Sequence, residues 1–154
     1  MYYHDSYYLF GNTTIASIPR NIKQIFFGTS YTGGSSDLLL NSDYSNLEEI
    51  VFAKKSGVTI RNITMNAVPN LRSITFGSYS CRIGTTSRSD GWLTITNIPK
   101  LVELSVESYA LQDFTSFVLS NLTSLEILRT SYYAFQYASI FEISSKTVKL
   151  FCHS

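Results

Sequence analysis

One phrase occurs more than once in this chain, and it constrains the fold more than any other feature of the sequence. Leu101-x-x-Leu104 recurs as Leu125-x-x-Leu128, and the two copies lie 24 residues apart. A third copy begins at Leu71. A repeat of this length is typical of solenoids, in which one coil cannot bury its apolar face alone and stacked coils form a continuous core. The sequence therefore predicts a stack of coils.

The phrase extends over nearly the whole chain when the copies are aligned on their first apolar residue, here called the anchor. The six anchors are Ile22, Leu47, Leu71, Leu101, Leu125 and Val148. Their spacings are 25, 24, 30, 24 and 23 residues, so one repeat carries an insertion of about six residues. The insertion falls at residues 82–91, which are rich in Ser, Thr and Gly, as surface loops are. We therefore expect a single domain over residues 1–154, with about six coils of roughly 24 residues and partial first and last repeats.

A second set of apolar pairs precedes the anchors, and each pair alternates with polar residues. Alternation with a period of two is typical of a strand with one buried face. The pairs are Ile63/Met65, Leu93/Ile95, Phe117/Leu119 and Phe141/Ile143. No apolar stripe of helical period spans ten residues. The predicted fold is mainly β, a parallel solenoid with two short strands per coil, separated by turns such as Asn97-Ile98-Pro99, and little helix.

The aligned phrase is (Ile/Leu)-(Pro/Thr)-x-Leu-x-x-(Ile/Leu)-x-x-x-Ser-Tyr-(Ser/Ala)-(Cys/Leu/Phe). It resembles the BspA-type leucine-rich repeat of bacterial and protist surface proteins. The resemblance covers Ile22 to Phe151, and two stretches depart from it, Thr13 to Ile15 and Gly28 to Asp37. It implies a right-handed solenoid of leucine-rich repeats in a surface or adhesive protein.

The resemblance also implies where a ligand would bind, because the outward positions of the anchor strand form the binding face of leucine-rich repeats. The candidate residues for this face are Phe26, Glu49, Arg72, Thr75, Glu103, Ser105, Glu126 and Arg129. The function that follows is non-enzymatic binding or adhesion at a cell surface, with a protein or glycan as the ligand and an extracellular location.

Composition and charge exclude several other classes of protein. The chain has 154 residues, a net charge of +1 and no run of Lys or Arg. It therefore lacks the basic patch that nucleic-acid binding requires. The longest apolar run, near Leu38-Leu39-Leu40, is far shorter than a membrane span, so we expect no membrane insertion. No secretory signal is visible, which leaves either an intracellular chain or a mature or excised segment of a longer protein.

No residues have the spacing of a catalytic or metal site, so we expect no enzyme activity, no metal and no other cofactor. His4-Asp5-Ser6 contains the residue types of a hydrolase triad, but neighbouring side chains in an extended chain cannot converge on one point. Cys81 and Cys152 fall several strands apart, beyond disulfide reach. We expect two free thiols, with Cys81 buried in the core.

Three sequons mark candidate N-glycosylation sites at Asn12, Asn62 and Asn121. All three fall at predicted turns or outward positions, where a sugar has room. Asn121 is the best placed of the three, because it lies in a predicted turn between the two walls.

Tyr79, Tyr109 and Tyr133 recur at one position of the repeat, and Tyr7 or Tyr8 is a candidate further member of this set. We interpret the set as aromatic packing at the corner of each coil, with a sugar-stacking ladder as the alternative.

Neither end of the sequence shows a polar cap, so open strand edges are expected at both ends of the stack. This leaves a second functional hypothesis, in which the chain is a structural subunit of an extracellular fibre. Such a fibre would form by head-to-tail stacking of the uncapped ends.

Overall fold

Two parallel sheets form the opposite walls of a solenoid, as the alternating apolar pattern predicts. They are seen in a computed structural model that describes residues 2–3, 5–32, 37–82, 91–144 and 149–152. The first wall, here called the front sheet, contains β1 (Tyr2–Tyr3), β2 (Ser6–Leu9), β3 (Gln24–Phe27), β5 (Glu49–Phe52), β7 (Ser73–Phe76), β9 (Glu103–Val106), β11 (Ile127–Thr130) and β13 (Lys149–Cys152). The second wall, the back sheet, contains β4 (Asp37–Leu40), β6 (Asn62–Asn66), β8 (Trp92–Thr96), β10 (Ser116–Ser120) and β12 (Ile140–Ser144).

The register of the strands confirms the alignment of the anchors from the first to the fifth. Gln24 pairs with Glu49, Glu49 with Ser73, Ser73 with Glu103, and Glu103 with Ile127. Each anchor lies two residues before its strand, and the five are at most 1% exposed: Ile22, Leu47, Leu71, Leu101 and Leu125. Because strand side chains alternate between faces, fixing this register buries every second residue of the front sheet.

The back sheet holds the predicted apolar pairs in two columns, a column being a set of equivalent positions stacked along the solenoid. One column is Ile63, Leu93, Phe117 and Phe141, and the other is Met65, Ile95, Leu119 and Ile143. Leu38 and Leu40 on β4 precede these columns, and the sequence pattern did not assign them to this wall. Both are buried, so the core is continuous from β4 to β10.

Aromatic rings stack along the core behind the front sheet. Phe27 and Phe52 have ring centroids 4.2 Å apart and planes within 1° of parallel, and Phe52 and Phe76 are 4.7 Å apart and within 11°. All three are fully buried. The stack forms because one register repeats a bulky residue at the same core position in three successive coils.

The corners of the coils hold their backbone in the left-handed region at repeated positions. Tyr79, Tyr109 and Tyr133 have φ values of 61°, 60° and 58°. Two further columns behave in the same way, one containing Gly57, Cys81, Leu111 and Phe135 and the other containing Ala67, Asn97 and Asn121. A left-handed residue other than glycine costs roughly 1–2 kcal/mol, so contacts between stacked corners must offset this strain in every coil.

The N-terminal coil departs from the others where the sequence departs from the repeat. A 3₁₀ turn, Ile15–Ser17, takes the place of a back-sheet strand, and Ile15 and Ile18 are buried. The strand β1 pairs antiparallel with β2, with Tyr3 opposite Ser6. The prediction of a bare parallel edge is therefore wrong for the first half of β2, which β1 covers, while β4 is an edge strand of the back sheet as described.

The last front-sheet strand corrects the predicted register. With Val148 as the anchor, Lys149 would pair with Glu126, but Lys149 pairs with Ile127. The alignment of the sixth repeat on Val148 is therefore wrong by one residue. Val148 itself, and residues 83–90 of the predicted insertion, lie outside the described residues.

Candidate binding surfaces

The outer face of the front sheet brings together the residues that the resemblance marked as a binding face. Phe26, Thr75, Ser105 and Arg129 share one column, in which Val51 stands between Phe26 and Thr75. Glu49 and Glu103 lie in the adjacent column, and Arg72 and Glu126 lie one residue before their strands. From β3 to β11 this face extends about 19 Å, at about 4.8 Å per strand.

Several charged groups of this face pair with each other along the solenoid. Arg129 Nε lies 2.9 Å from Glu103 Oε1, and Gln24 Nε2 donates to Glu49 Oε2 over 2.9 Å. The Arg129–Glu103 pair is exposed, and a pair of this kind contributes under about 1 kcal/mol. These contacts therefore order the face more than they stabilise the fold.

The ion pair nearest the N-terminal end lies in the column of residues that come just before the front-sheet strands. Lys23 Nζ lies 2.9 Å from Asp5 Oδ2, one strand step away in the position just before the strand. The hydrogen bond and the negative charge of Asp5 raise the pKa of Lys23 above its ordinary value. Asp5, Lys23, Glu48 and Arg72 thus alternate in sign along the edge of the face.

Two charges in the column just before the strands, at the edge of the face, have no ionic partner among the described residues. Arg72 and Glu126 are both exposed, and neither forms an ion pair with any of them. Val102 lies between them in the same column and is 37% exposed. Two strand steps separate the two charges, about 10 Å, so an apolar side chain is flanked by a cation and an anion that are available to a ligand.

An aromatic cluster that sequence reasoning missed lies at the N-terminal end of the same face. The ring of Tyr8 lies 5.5 Å from that of Phe26 and is stacked on that of Phe10 at 6.2 Å. Phe10 is 47% exposed, and its ring lies against Gly28, where an added Cβ would collide with it. The signal for this cluster in the sequence was Phe26, an apolar residue at an outward position of β3. Tyr8 and Phe10 could not be placed beside it, because they lie before the first anchor.

The predicted tyrosine column forms a stack at one corner of the solenoid. Tyr79 and Tyr109 have ring centroids 4.7 Å apart and planes within 9° of parallel, and Tyr133 follows at 5.0 Å from Tyr109. The guanidinium of Arg82 lies 5.4 Å and 5.5 Å from the first two rings. Because Tyr79 and Tyr109 cover each other's faces and Tyr133 packs on Tyr109 at an angle of 46°, the geometry favours corner packing over a ladder of open rings.

Tyr7 and Tyr8 do not belong to this tyrosine column. Both lie on β2, where Tyr7 pairs with Ile25 and Tyr8 with Phe26. The suggested extension of the column to the N-terminus is therefore wrong, because those tyrosines occupy strand positions and not the corner.

The three sequon asparagines differ in how their side-chain nitrogens are used. Asn121 Nδ2 donates to Asn97 Oδ1 over 2.8 Å, and Asn62 Nδ2 donates to Asp37 Oδ1. Asn12 is exposed and accepts a hydrogen bond from Thr32 at its Oδ1, while its Nδ2 donates to none of the residues that the structure describes. A glycan is attached at Nδ2, so this geometry favours Asn12 as the glycosylation site. The sequence had favoured Asn121.

Metal-binding side chains do not gather in the described ranges. Those ranges hold no group of three His, Cys, Asp or Glu side chains that could bind a metal ion. His4 and His153 lie outside them. Cys81 is fully buried, as predicted, and burial raises the pKa of its thiol well above the usual range.

The helical content of the described chain is confined to one short element. This element is the 3₁₀ turn of three residues, far below the length that a membrane-spanning helix needs.

Comparison with known proteins gives no relative. No family model, no curated protein and no solved structure matches this chain. The resemblance to BspA-type leucine-rich repeats stays a prediction from the repeated phrase.

Proposed function

We propose that this chain is a non-enzymatic binding module of a cell surface, and that a protein or glycan ligand binds the outer face of the front sheet. The observation that supports this most is the grouping of Arg72, Val102 and Glu126. An exposed apolar side chain lies there between two charges that have no ionic partner among the described residues. Interfaces are commonly centred on apolar side chains and arginine, with polar groups around them.

The scaffold beneath this group supports a binding role. Every strand of the face is hydrogen-bonded to its neighbours in one register, and the side chains below the face are buried. Side chains fixed on strands lose little freedom when a ligand binds. Stacked repeats also provide the long surfaces that repeat proteins use for binding.

The test is a binding screen against an array of defined oligosaccharides and purified extracellular-matrix proteins. The variant Arg72→Ala/Glu126→Ala should keep the fold and weaken any specific binding by about tenfold or more, as hot-spot residues do. Lys54→Ala is the matched control, because Lys54 is an exposed cation in a corner and not on the face. Binding that survives both substitutions on the face unchanged would contradict the proposal.

The sequons supply a second test of a surface location. If the chain passes through a eukaryotic secretory pathway, Asn12 should be the principal acceptor, because its Nδ2 is not engaged by described residues. Digestion with a peptide N-glycosidase should then lower the mass of the wild type. The mass should not fall for Asn12→Gln, while Asn62→Gln should behave as the wild type does.

A second candidate function, a fibre subunit stacked head to tail, is favoured by one observation. Phe141 and Ile143 occupy core columns at the C-terminal end, but they are 47% and 37% exposed. An open apolar end of this kind favours addition of a further coil. Negative-stain microscopy at several protein concentrations tests this function, which requires long unbranched fibres and is contradicted by a particle of fixed size.

A further inference from the structure

Trp92 is the one tryptophan of the chain, and it lies on the outer face of the back sheet. Its side chain is 43% exposed, while the two core residues of the same strand, Leu93 and Ile95, are fully buried. The equivalent positions on the neighbouring strands carry Asn62 and Ser116. A repeat that needed a large ring at this position would place one in successive coils, as it does for the stacked phenylalanines of the core. The packing of the coils therefore does not explain this exposed indole.

The indole of Trp92 is not engaged by the described part of the chain. Among the described residues, no aromatic ring stacks on it and no hydrogen bond engages its Nε1. Tyr79 and Tyr109, by contrast, stack on each other at the corner of the solenoid. An indole combines an apolar face with a hydrogen-bond donor. Trp92 thus presents to solvent both of the groups with which a tryptophan side chain binds a ligand.

Hydroxyl groups lie around Trp92 on the same face. Ser116 is its neighbour on β10, and Thr94 lies two residues further along β8. Thr64 is paired with Thr94 on the adjacent strand β6. From the spacing of strands and residues, all three lie within roughly 9 Å of Trp92, measured between Cα atoms. Their side chains are partly exposed, and their hydroxyls form no hydrogen bond with a described residue.

Other polar side chains of this wall, by contrast, bond to one another. Thr96 Oγ1 donates to Asn66 Oδ1 over 3.1 Å, and Asn62 Nδ2 donates to Asp37 Oδ1. These bonds hold the side chains on either side of the Trp92 area in place. They leave the hydroxyls next to the indole available to a ligand.

The surface around Trp92 carries no charge. The nine outward positions of β6, β8 and β10 hold only Asn, Ser, Thr, Val and Trp. A nucleic acid or a sulfated glycan would require cations there. A protein partner would favour a wider apolar patch, and Trp92 and Val118 are the only apolar residues among these nine. The surface therefore suits a ligand that is neutral, rich in hydroxyls and able to lie flat on an indole.

We propose that the outer face of the back sheet binds a neutral polysaccharide, with one sugar ring stacked on the indole of Trp92. A pyranose ring has a face of C–H bonds, which packs on an aromatic ring, and a rim of hydroxyls, which both donate and accept hydrogen bonds. The hydroxyls of Thr64, Thr94 and Ser116 bond to that rim. This site lies on the wall opposite the proposed binding face and does not depend on it.

The first test is titration of the full chain while the fluorescence of Trp92 is followed, which reports on this site because the chain has no other tryptophan. The neutral polymers are hydroxyethylcellulose, galactomannan and laminarin, and heparin is the anionic comparison. At least one neutral polymer should shift the emission to shorter wavelength and protect the indole from quenching by acrylamide, because a stacked sugar excludes water. No change with any neutral polymer, or a change with heparin alone, would overturn the proposal.

The second test compares variants by their retardation in native gels that contain the bound polymer. Trp92→Ala should weaken binding by about tenfold or more, and Trp92→Phe by less, since a phenyl ring still stacks on a sugar. Thr94→Val keeps the shape of the side chain and removes the hydroxyl, so it should weaken binding by about threefold. Thr29→Val is its matched control and should have no effect, because Thr29 is exposed in the turn after β3.

Circular dichroism should show the wild-type fold for every variant, because each substituted side chain is at least partly exposed. Retardation that Trp92→Ala leaves unchanged would mean that the polymer binds elsewhere on the chain. That result would overturn the proposal, whatever the front sheet binds.

Discussion

The two ends of this solenoid are built from the same repeat and yet differ in how they meet solvent. At the N-terminal end the strand β1 pairs with β2, a 3₁₀ turn contributes the buried Ile15, and Leu9 on β2 is fully buried. At the C-terminal end Phe141, in a core column, is half exposed. The difference shows that a side chain at a core position of the repeat is buried only where a neighbouring coil covers it, because each coil is buried only by its neighbours.

The comparison predicts its largest effect for a charge placed in the middle of the stack. Leu104→Asp should cost more than about 4 kcal/mol and unfold the chain, because it buries an unpaired carboxylate at a position that is 0% exposed. Ile143→Asp at the open end should cost under about 1 kcal/mol, since the carboxylate keeps contact with water. Urea denaturation followed by circular dichroism measures both, and soluble, cooperative folding of Leu104→Asp would show that its side chain does not face the core.

A second prediction compares one residue type in one column. Phe117→Ala should destabilise the fold by about 3–5 kcal/mol, the usual loss for a buried phenylalanine. Phe141→Ala should cost about 1 kcal/mol or less, because half of its side chain is already in water. Thermal and urea unfolding of the two variants at low protein concentration give the comparison. Equal losses would mean that the side chain of Phe141 is covered in solution.

Much of the fold could be predicted because a solenoid repeats its local rules. A period of about 24 residues and an alternating pattern were enough to place Leu71, Leu101 and Leu125 in one column. What failed were features that occur once. The sixth anchor, Val148, failed because the ladder pairs Lys149 with Ile127 and not with Glu126. No periodic signal announces a two-residue antiparallel strand such as β1.

The candidate site could be predicted less fully than the fold. The repeat placed Thr75, Ser105 and Arg129 on one face, because their positions follow directly from the register. It did not predict which charges would find partners, since that depends on side-chain reach across neighbouring strands. It also gave no sign of the left-handed corner residues, because tyrosine and cysteine are not residues that favour a positive φ.

A third prediction concerns two buried hydroxyls that distinguish the earlier coils from the later ones. Ser56 and Ser80 are fully buried, and their Oγ atoms have no hydrogen-bond partner within the described structure. The next coils carry Ala110 and Ala134 at the same position. Ser80→Ala should therefore stabilise the fold by about 1 kcal/mol, because it removes an unsatisfied buried group. The outward Ser105→Ala is the control and should change the unfolding midpoint little. A destabilised Ser80→Ala variant would show that this hydroxyl has a partner in solution.

The smallest change in the free energy of unfolding is expected for substitutions of the exposed charges on the front sheet. Arg72→Glu should cost under about 1 kcal/mol, because Arg72 is exposed and forms no ion pair with a described residue. Glu103→Arg should cost slightly more, since it turns the 2.9 Å contact with Arg129 into a repulsion. Urea midpoints in low and high salt should differ for the second variant more than for the first, because salt screens exposed charges. A loss of several kcal/mol for Arg72→Glu would place Arg72 inside the stack and would remove it from the proposed binding site.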